Sequence, residues 1–417
     1  MTAVHLGVVS TYPPREDGIA TFTRDLVRAI RAPRSHITAR IAAISDPDSF
    51  YAYPPLVRWE IEQGDPESYA AAGRVLSRAR VDVVSLQHEF GLFGVWGEPL
   101  VDHAEYLLRT LRRPLVTTLH TVLPQPRHDV RDTIRRLAAA SVAVVVMVNM
   151  GAKILVEDYE IERAKLVVIP HGVPEAPSDS SEQAKRALRL NGHTVICTFG
   201  LLSRSKGIEN VISALPAIRE RYPDVLYLVM GETHPFVRRY EGESYRQELV
   251  ALARELGVSR QVRFINEYLE QRSLIAYLRA TDIYITPYHD RNQITSGTLS
   301  YALGCGRAIV STPYVYAAEA LAEGRGLLAE FDSPESIARC VLLYLDDPKF
   351  RADVQARATA YGHAMAWPRV GARYAEMLER ITAGQREPPF ITAPDPNADA
   401  TDAAAAPFGQ PAGVARV

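Results

Sequence analysis

Two positively charged side chains stand close together between glycines in the second half of this sequence. Arg204 and Lys206 lie in residues 200–207 (GLLSRSKG), which follow a predicted strand at residues 194–200 and open a predicted helix. Two cations in such a turn suit a diphosphate, whose negative charge increases as it departs from a substrate. A solvated basic turn is the alternative, and the strand–turn–helix context favours the ligand.

A second candidate segment is rich in hydroxyls and follows the predicted strand at residues 282–286. Thr295, Ser296, Gly297 and Thr298 precede a predicted helix, so the amides at its start could bind an anion without a charged side chain. Simple N-capping by Thr295 or Ser296 is the alternative, and it would use the same amide groups.

Three residues of the first half lie where predicted strands give way to loops or helices. His88 directly follows the predicted strand at 81–87, and His120 ends the one at 114–120. Gly18 lies at the start of the first predicted helix, where backbone amides favour a phosphate or a polar sugar. Structural histidines and a plain strand–helix connection are the alternatives.

A polar loop after the predicted strand at 225–231 contains Glu232 and His234. Either side chain could touch a ligand bound at the end of that strand. Surface ion pairs around a capped loop explain the same residues equally well.

Several familiar motifs are missing from the sequence. It has no His-x-x-x-His or Cys-x-x-Cys pair, and no Asp-x-Asp closes a predicted strand. No Gly-x-Gly-x-x-Gly follows the first strand, and no phosphate-binding loop of the Gly-Lys-Ser/Thr type occurs. These observations predict a site without metal or cofactor and disfavour NAD enzymes and P-loop nucleotidases.

Short apolar runs alternate with helical patterns in both halves of the chain. Uninterrupted apolar strands separated by helices predict parallel sheets covered on both faces, and hence an α/β protein with two Rossmann-like domains facing a central cleft. Ligands are expected at the carboxyl ends of the strands. The predicted segments are a first domain (1–175), a linker (176–192), a second domain (193–362), a helix crossing back to the first domain (363–383) and a disordered tail rich in proline and alanine (384–417).

Composition limits the classes of partner. The 417 residues carry a net charge of −2, which provides no general attraction to nucleic acid. The longest apolar run, 142–148, is far shorter than the roughly 20 residues of a membrane span. No signal peptide is recognisable, so a cytoplasmic location is expected. Peripheral membrane contact and the oligomeric state stay open.

Taken together, these residues resemble the family 4 glycosyltransferases, which are retaining enzymes with the GT-B fold. The likeness extends from about residue 4 to residue 381 and is strongest over 195–328. It rests on several segments in family order: the turn ending in Lys206-Gly207, Gly231-Glu232, 302–306 (ALGCG) leading to 309–313 (IVSTP), Glu319, 324–328 (GRGLL) and 169–173 (IPHGV).

The resemblance implies a role for each matching position. Lys206 would bind the donor diphosphate, His120 would contact the transferred sugar, and Gly18 would line the donor site. Residues 296–298 would donate to the phosphates. The implied activity is metal-independent, retaining transfer of a hexose from a nucleotide-diphosphate sugar to a hydroxyl of a saccharide or glycolipid.

The sequence departs from the family pattern at three places. Leu201 stands where an arginine is usual, Gly18 is single where paired glycines are common, and Gln293 and Tyr301 occupy the positions of two glutamates eight residues apart. Gln293 can still bond sugar hydroxyls. These departures keep a non-catalytic binder of sugar nucleotides open, beside an epimerase or phosphorylase of the same fold.

Overall fold

The computed structural model describes residues 3–32, 34, 36–175 and 180–384. These residues form two compact units: the first comprises residues up to Gly172, Gln293–Thr295 and the stretch from Met365, and the second comprises Val173–Asn292 and Ser296–Ala364. The predicted tail lies outside the described residues from residue 385 onward. No helix in the described ranges is long and apolar enough to cross a membrane.

The chain up to Gly172 folds into nine strands and five helices. In chain order these are β1 (Val4–Ser10), α1 (Gly18–Arg31), β2 (Ile37–Ser45), β3 (Val57–Glu62), α2 (Pro66–Arg78), β4 (Val83–His88), β5 (Gly94–Val95), β6 (Val101–Asp102), α3 (Ala104–Thr110), β7 (Leu115–Leu119), α4 (His128–Ala140), β8 (Ala143–Val146), α5 (Asn149–Glu157) and β9 (Leu166–Val168).

The following stretch folds into nine helices and six strands, and a last helix completes the described chain. These are α6 (Ser181–Ala187), β10 (Thr194–Phe199), α7 (Ile208–Arg221), β11 (Val225–Met230), α8 (Pro235–Glu241), α9 (Ser244–Glu255), β12 (Val262–Ile265), α10 (Gln271–Ala280), β13 (Ile283–Thr286), α11 (Gly297–Gly304), β14 (Ala308–Ser311), α12 (Val315–Ala320), β15 (Leu327–Leu328), α13 (Pro334–Asp346), α14 (Pro348–Ala364) and α15 (Trp367–Thr382).

Each unit is built around one parallel sheet, which confirms the predicted fold class. The first sheet has the order β3-β2-β1-β4-β7-β8-β9 and the second has the order β12-β11-β10-β13-β14-β15. In each sheet the first strand pairs on both sides, so the chain reverses its direction of winding between β1 and β4 and again between β10 and β13. Ligands of doubly wound sheets bind beyond the carboxyl ends of the strands at such switch points.

Apolar packing holds each sheet between its helices. In the first unit Phe22 and Leu26 of α1 join Tyr374 and Leu378 of α15 in a core against the sheet. In the second unit the helices α7, α9 and α13 contribute buried side chains to a second core. Burial on both faces explains why most strands read as continuous apolar runs.

Five strands are absent from the sequence prediction, namely β2 and β3 of the first sheet and the two-residue strands β5, β6 and β15. The apolar run of β2 is short, from Ile41 to Ile44 between an arginine and a serine, and the burial of β3 alternates because it lies at the sheet edge. An Asp-x-Asp motif, Asp46-Pro47-Asp48, directly follows β2, so the expectation that no strand ends in such a motif is wrong. Asp46 forms an ion pair with Arg15 at 2.8 Å and accepts a hydrogen bond from Tyr51 at 2.6 Å.

The segment predicted as a linker contains a helix. Residues 176–179 lie outside the described residues, but α6 follows directly, because Ser180 and Gln183 form a capping box at its start. Lys185 of this helix bonds Asp282 at 2.7 Å, so α6 is tied to the second unit. Polar composition alone therefore gave the wrong local structure here.

Candidate functional site

The turn between β10 and α7 brings Lys206 to the switch point of the second sheet. Residues Arg204–Lys206 form a single 3-10 turn that ends at Gly207, whose φ is +61°. A Cβ at Gly207 would lie 2.0 Å from the carbonyl oxygen of Pro287, so only glycine fits. The close approach packs this turn against the residues that follow β13.

The ammonium of Lys206 is held on an aromatic ring. Its Nζ lies 4.0 Å from the centroid of Tyr288, a distance typical of a cation–π contact. Burial lowers the pKa of Lys206 to about 8, and Asp290 acts in the opposite direction. Among the described residues no carboxylate forms an ion pair with this ammonium. Such a desolvated, uncompensated cation would gain most from an incoming anion.

Tyr288 connects this cation to the start of α11. Its hydroxyl lies 2.7 Å from Oγ1 of Thr298, which in turn lies 3.2 Å from Oγ of Ser296. Ser296 caps the helix by accepting the amide of Leu299 at 3.3 Å. The amides of Gly297 and Thr298 donate to no acceptor in the part of the chain that the structure describes. Two free amides and one uncompensated ammonium therefore belong to one cluster, which we name the anion cluster (Lys206, Tyr288, Ser296, Gly297, Thr298).

Arg204 lies in the same turn but its charge is already engaged. Its guanidinium donates to both carboxylate oxygens of Glu248 at 2.6 Å each and stacks over Tyr245. The hydrogen bond to Glu248 raises the pKa of Arg204 further above its ordinary value. The predicted contribution of Arg204 to a diphosphate site finds no support in this placement.

Most of the other candidates of the second half have side chains bonded to other protein groups. Glu232 pairs with Arg238 at 3.3 Å. The Gln293 side chain donates to the carbonyl of Thr295 at 2.7 Å, and Oγ1 of Thr295 is buried without a partner among the described residues. The hydroxyl of Tyr301 accepts a hydrogen bond from Gln271 at 2.9 Å. The side chains at both departure positions are thus hydrogen-bonded within the protein.

Tyr301 also approaches the end of β10. Its ring meets Phe199 edge-on with 6.4 Å between the centroids. A Cβ added at the next residue, Gly200, would lie 3.3 Å from Thr298. Tyr301 and Thr298 therefore lie near the carboxyl end of β10, whereas Arg204 is directed toward Glu248 of α9.

In the first unit, His120 is buried at the carboxyl edge of the sheet and is neutral. Burial lowers its pKa to about 3, and the side chain is only 4% exposed. Its Nε2 lies 3.1 Å from Oε1 of Gln87, whose amide nitrogen donates to Ser85 and Thr118. Since this orients the Gln87 oxygen toward the ring, Nε2 of His120 carries the proton and Nδ1 is the acceptor.

His88 has a structural position instead. It is completely buried, its Nε2 lies 2.8 Å from Asp102 of β6, and its ring stacks on Phe93. These contacts fix the short hairpin β5–β6 against β4. A substrate-binding role for His88 finds no support in this placement.

Gly18 opens α1 and is exposed. Asp17 caps this helix by accepting the amide of Ala20 at 2.6 Å, and Asp17 is itself bonded to Arg15 at 3.2 Å. Nothing lies within 4 Å of a Cβ built at Gly18, so the position leaves space for a ligand.

The sequence analysis missed two residues that the structure brings to the switch points. Tyr288 follows β13 by two residues, and Glu89 directly follows β4. Burial raises the pKa of Glu89 to about 7, although hydrogen bonds from Thr121 lower it. Both follow strands at switch points, which is the signal that could have found them. No group of three or more potential metal-ligating side chains lies together among the described residues.

Two models of known protein families match this chain. Residues 17–176 match the family model described as Glycosyltransferase Family 4, and residues 179–361 match the one described as Glycosyl transferases group 1. The chain is a family 4 glycosyltransferase. The resemblance deduced from the sequence is thereby confirmed.

Several relatives of this glycosyltransferase have names that include an inositol compound. A GDP-mannose-dependent monoacylated α-(1-6)-phosphatidylinositol monomannoside mannosyltransferase of Corynebacterium glutamicum is 23% identical, over 90% of this chain and 97% of the relative. A D-inositol 3-phosphate glycosyltransferase of Corynebacterium aurimucosum is 29% identical over 67% and 68% of the two chains.

Solved structures share the fold at low identity. The Anabaena protein HepE in complex with UDP has a TM-score of 0.70 at 16% identity, over 90% of this glycosyltransferase and 99% of that chain. Sucrose-phosphate synthase from Thermosynechococcus elongatus has a TM-score of 0.72 at 15% identity, over 91% and 100%. These likenesses confirm the GT-B class of two Rossmann-like domains.

Proposed function

We propose that this glycosyltransferase moves a hexosyl group, with retention of configuration and without a metal, from a nucleotide-diphosphate sugar to a hydroxyl of a cyclitol, saccharide or glycolipid. The observation that carries the proposal is the anion cluster. A partly buried lysine without a carboxylate partner and two unbonded helix-start amides suit a diphosphate, which would supply the missing negative charge.

The proposed reaction requires above all that the charge on the departing diphosphate be stabilised. The bond between the anomeric carbon and the diphosphate oxygen breaks, and the nucleoside diphosphate leaves with the electron pair. The acceptor oxygen bonds to the same carbon, and its proton passes to the departing diphosphate. Lys206 and the amides of Gly297 and Thr298 would stabilise the charge that develops, and this stabilisation would take the place of a metal ion.

His120 would serve the sugar as a neutral group. A ring that stays uncharged above about pH 3 cannot act as a general acid near neutrality. With Nε2 engaged by Gln87, its Nδ1 is available to accept a hydrogen bond from a sugar hydroxyl. We assign it to positioning the transferred sugar.

The names of the relatives suggest where to begin with substrates. GDP-mannose and inositol-containing acceptors appear in those names, so the first panel combines GDP-, UDP- and ADP-sugars with myo-inositol, its 3-phosphate and phosphatidylinositol vesicles. Thermal shifts would identify the donor, and product NMR would report the anomeric configuration. Inversion would refute the retaining mechanism, and loss of activity in EDTA would refute metal independence.

Lys206→Met tests the anion cluster directly. We expect turnover to fall by about 100-fold, the effect of removing one strong stabilising group from a transition state. Lys349→Met is the matched control, because Lys349 is an exposed lysine of α14 in the same unit. Unchanged turnover in Lys206→Met would overturn the assignment.

A non-catalytic binder of sugar nucleotides is the second candidate. The observation that favours it is that Gln293 and Tyr301, at the positions of the family glutamates, bond other protein groups. A donor that shifts the melting temperature but is neither hydrolysed nor transferred, with every acceptor of the panel, would select this candidate.

A further inference from the structure

Glu89 forms a second polar site, in the first unit, which the proposed function does not yet use. It directly follows β4, the strand on one side of the switch point of the first sheet. Oγ1 of Thr121, which follows β7, lies 2.9 Å from each oxygen of the Glu89 carboxylate. The hydroxyl therefore fixes the plane of the carboxylate at the carboxyl edge of the sheet.

This carboxylate lacks the basic partner that some other glutamates of the unit have. Glu105 pairs with Arg109 and Glu160 with Arg135, whereas no lysine or arginine of the described residues forms an ion pair with Glu89. The side chain is only partly buried. Thr121 supplies one proton and the backbone amide of Phe90 a second, so lone pairs of the carboxylate remain available to a ligand that donates hydrogen bonds.

The charged and titratable groups around Glu89 do not satisfy it. His88 has its Nε2 engaged by Asp102 of β6, and His120, adjacent to Thr121, is neutral. Their arrangement leaves a carboxylate next to the histidine assigned to the transferred sugar. A hydroxyl bound at Glu89 would therefore lie close to that sugar.

We propose that Glu89, held by Thr121, binds a hydroxyl of the acceptor, so that the acceptor is a polyhydroxylated ring such as a cyclitol or saccharide. The inference rests on the proposed function, which it extends from the donor to the acceptor. A carboxylate that accepts from hydroxyls favours such rings over acceptors with a lone alcohol, because neighbouring hydroxyls can occupy both oxygens.

The protonation state of Glu89 should make acceptor binding depend on pH. Its pKa of about 7 means that the carboxylate loses its charge as the pH falls through neutrality. A charged acceptor of hydrogen bonds is stronger than a neutral one, so the acceptor KM should rise below about pH 7. The donor KM does not involve this group and should not follow the same titration.

The test compares Glu89→Gln with the wild type and with Glu105→Gln, a partly exposed glutamate of α3. With the donor and acceptor that the panel identifies, Glu89→Gln should raise the acceptor KM by about tenfold and abolish its rise at acid pH. Glu105→Gln should retain both wild-type properties. An unchanged acceptor KM and an unchanged pH profile in Glu89→Gln would overturn the proposal.

Variants of Thr121 test whether its hydroxyl lowers the pKa of Glu89. Thr121→Val removes the hydrogen bonds that lower the pKa of Glu89, so the acid limb should move to higher pH. Thr121→Ser keeps the hydroxyl and should keep the limb near pH 7. Identical profiles of the valine and serine variants would contradict the role of Thr121.

A measurement without turnover distinguishes failure of this inference from failure of the proposed function. Carbodiimide with an amine nucleophile modifies protonated carboxyls, and peptide mass spectrometry would report the modification of Glu89 near pH 6.5. Protection by myo-inositol, D-mannose or D-glucose supports the acceptor site even if no donor is consumed. Absence of protection by all three overturns it even if the enzyme is active.

Discussion

The ammonium of Lys206 lies 4.0 Å from the centre of the Tyr288 ring. One residue follows β10 and the other follows β13, so the contact spans the switch point of the second sheet. A ring in place of a carboxylate keeps the lysine charge available. It also removes water, which lowers the pKa of the lysine.

Donor binding should weaken at alkaline pH. The anion cluster needs a protonated Lys206, and its pKa of about 8 means that the charge is complete at pH 7 and lost as the pH rises through 8. Calorimetric titration with the nucleoside diphosphate between pH 6.5 and 9.5 checks this. A dissociation constant that stays flat to pH 9.5 would show that Lys206 does not carry the interaction.

Removal of the Lys206 charge should stabilise the protein while it lowers turnover. The folded-state pKa lies below the unfolded value of 10.5, so the unfolded chain binds more protons between about pH 8 and 10.5 and wild-type stability rises across this window. Lys206→Met should increase the free energy of unfolding at pH 7 by roughly 2 kcal/mol. Urea unfolding at pH 7 and at pH 10 measures both effects, and equal stability of the two proteins at pH 7 would contradict a desolvated charge.

Tyr288 should influence the donor through its ring more than through its hydroxyl. Tyr288→Phe keeps the cation–π contact and loses only the hydrogen bonds of the hydroxyl, so we expect about a threefold loss of donor affinity. Tyr288→Leu loses both, and admission of water to Lys206 should move the alkaline limb of donor binding above pH 8. If the phenylalanine and leucine variants behave alike, the ring has no role.

Arg204→Gln should have little effect on turnover. Its guanidinium is committed to Glu248 at the surface, where such pairs contribute little. Steady-state kinetics should give a kcat/KM within about threefold of the wild type. A loss as large as that of Lys206→Met would restore the sequence-based hypothesis that both cations of the turn serve the diphosphate.

Gly207→Ala should disrupt the turn that presents Lys206. The residue has a φ of +61°, and its new Cβ would collide with the carbonyl of Pro287. We expect a loss of stability of about 2 kcal/mol together with weaker donor binding. Thermal unfolding and calorimetry of the variant check both, with Gly242→Ala as the control, because φ is +62° there but nothing lies near its Cβ.

Strands buried on both faces could be predicted from the sequence because their environment imposes continuous apolar runs. Strands β10, β11, β13 and β14 are of this kind. Strand β3 is half exposed at a sheet edge and leaves no such run. Helix α6 was missed because its capping residues also resemble a linker.

Site residues could be predicted where the sheet topology determines their position. They could not be predicted where a residue distant in the sequence pairs with the side chain. Lys206 and Thr298 follow strands or open helices at the switch point, and the structure gathers them as expected. Arg204 and His88 are engaged by Glu248 and Asp102, and no local pattern announces those partners. Tyr288 was missed because an aromatic ring by itself suggests no phosphate chemistry.

A lysine that releases its proton near pH 8 is also a nucleophile under mild conditions. At that pH about half of the Lys206 side chains would be free amines, whereas an ordinary lysine is almost entirely ammonium. Acylating reagents and amine-directed inhibitors should therefore react preferentially at this position. The contact with Tyr288 that suits Lys206 to binding phosphate would therefore also make this lysine a target for covalent ligands.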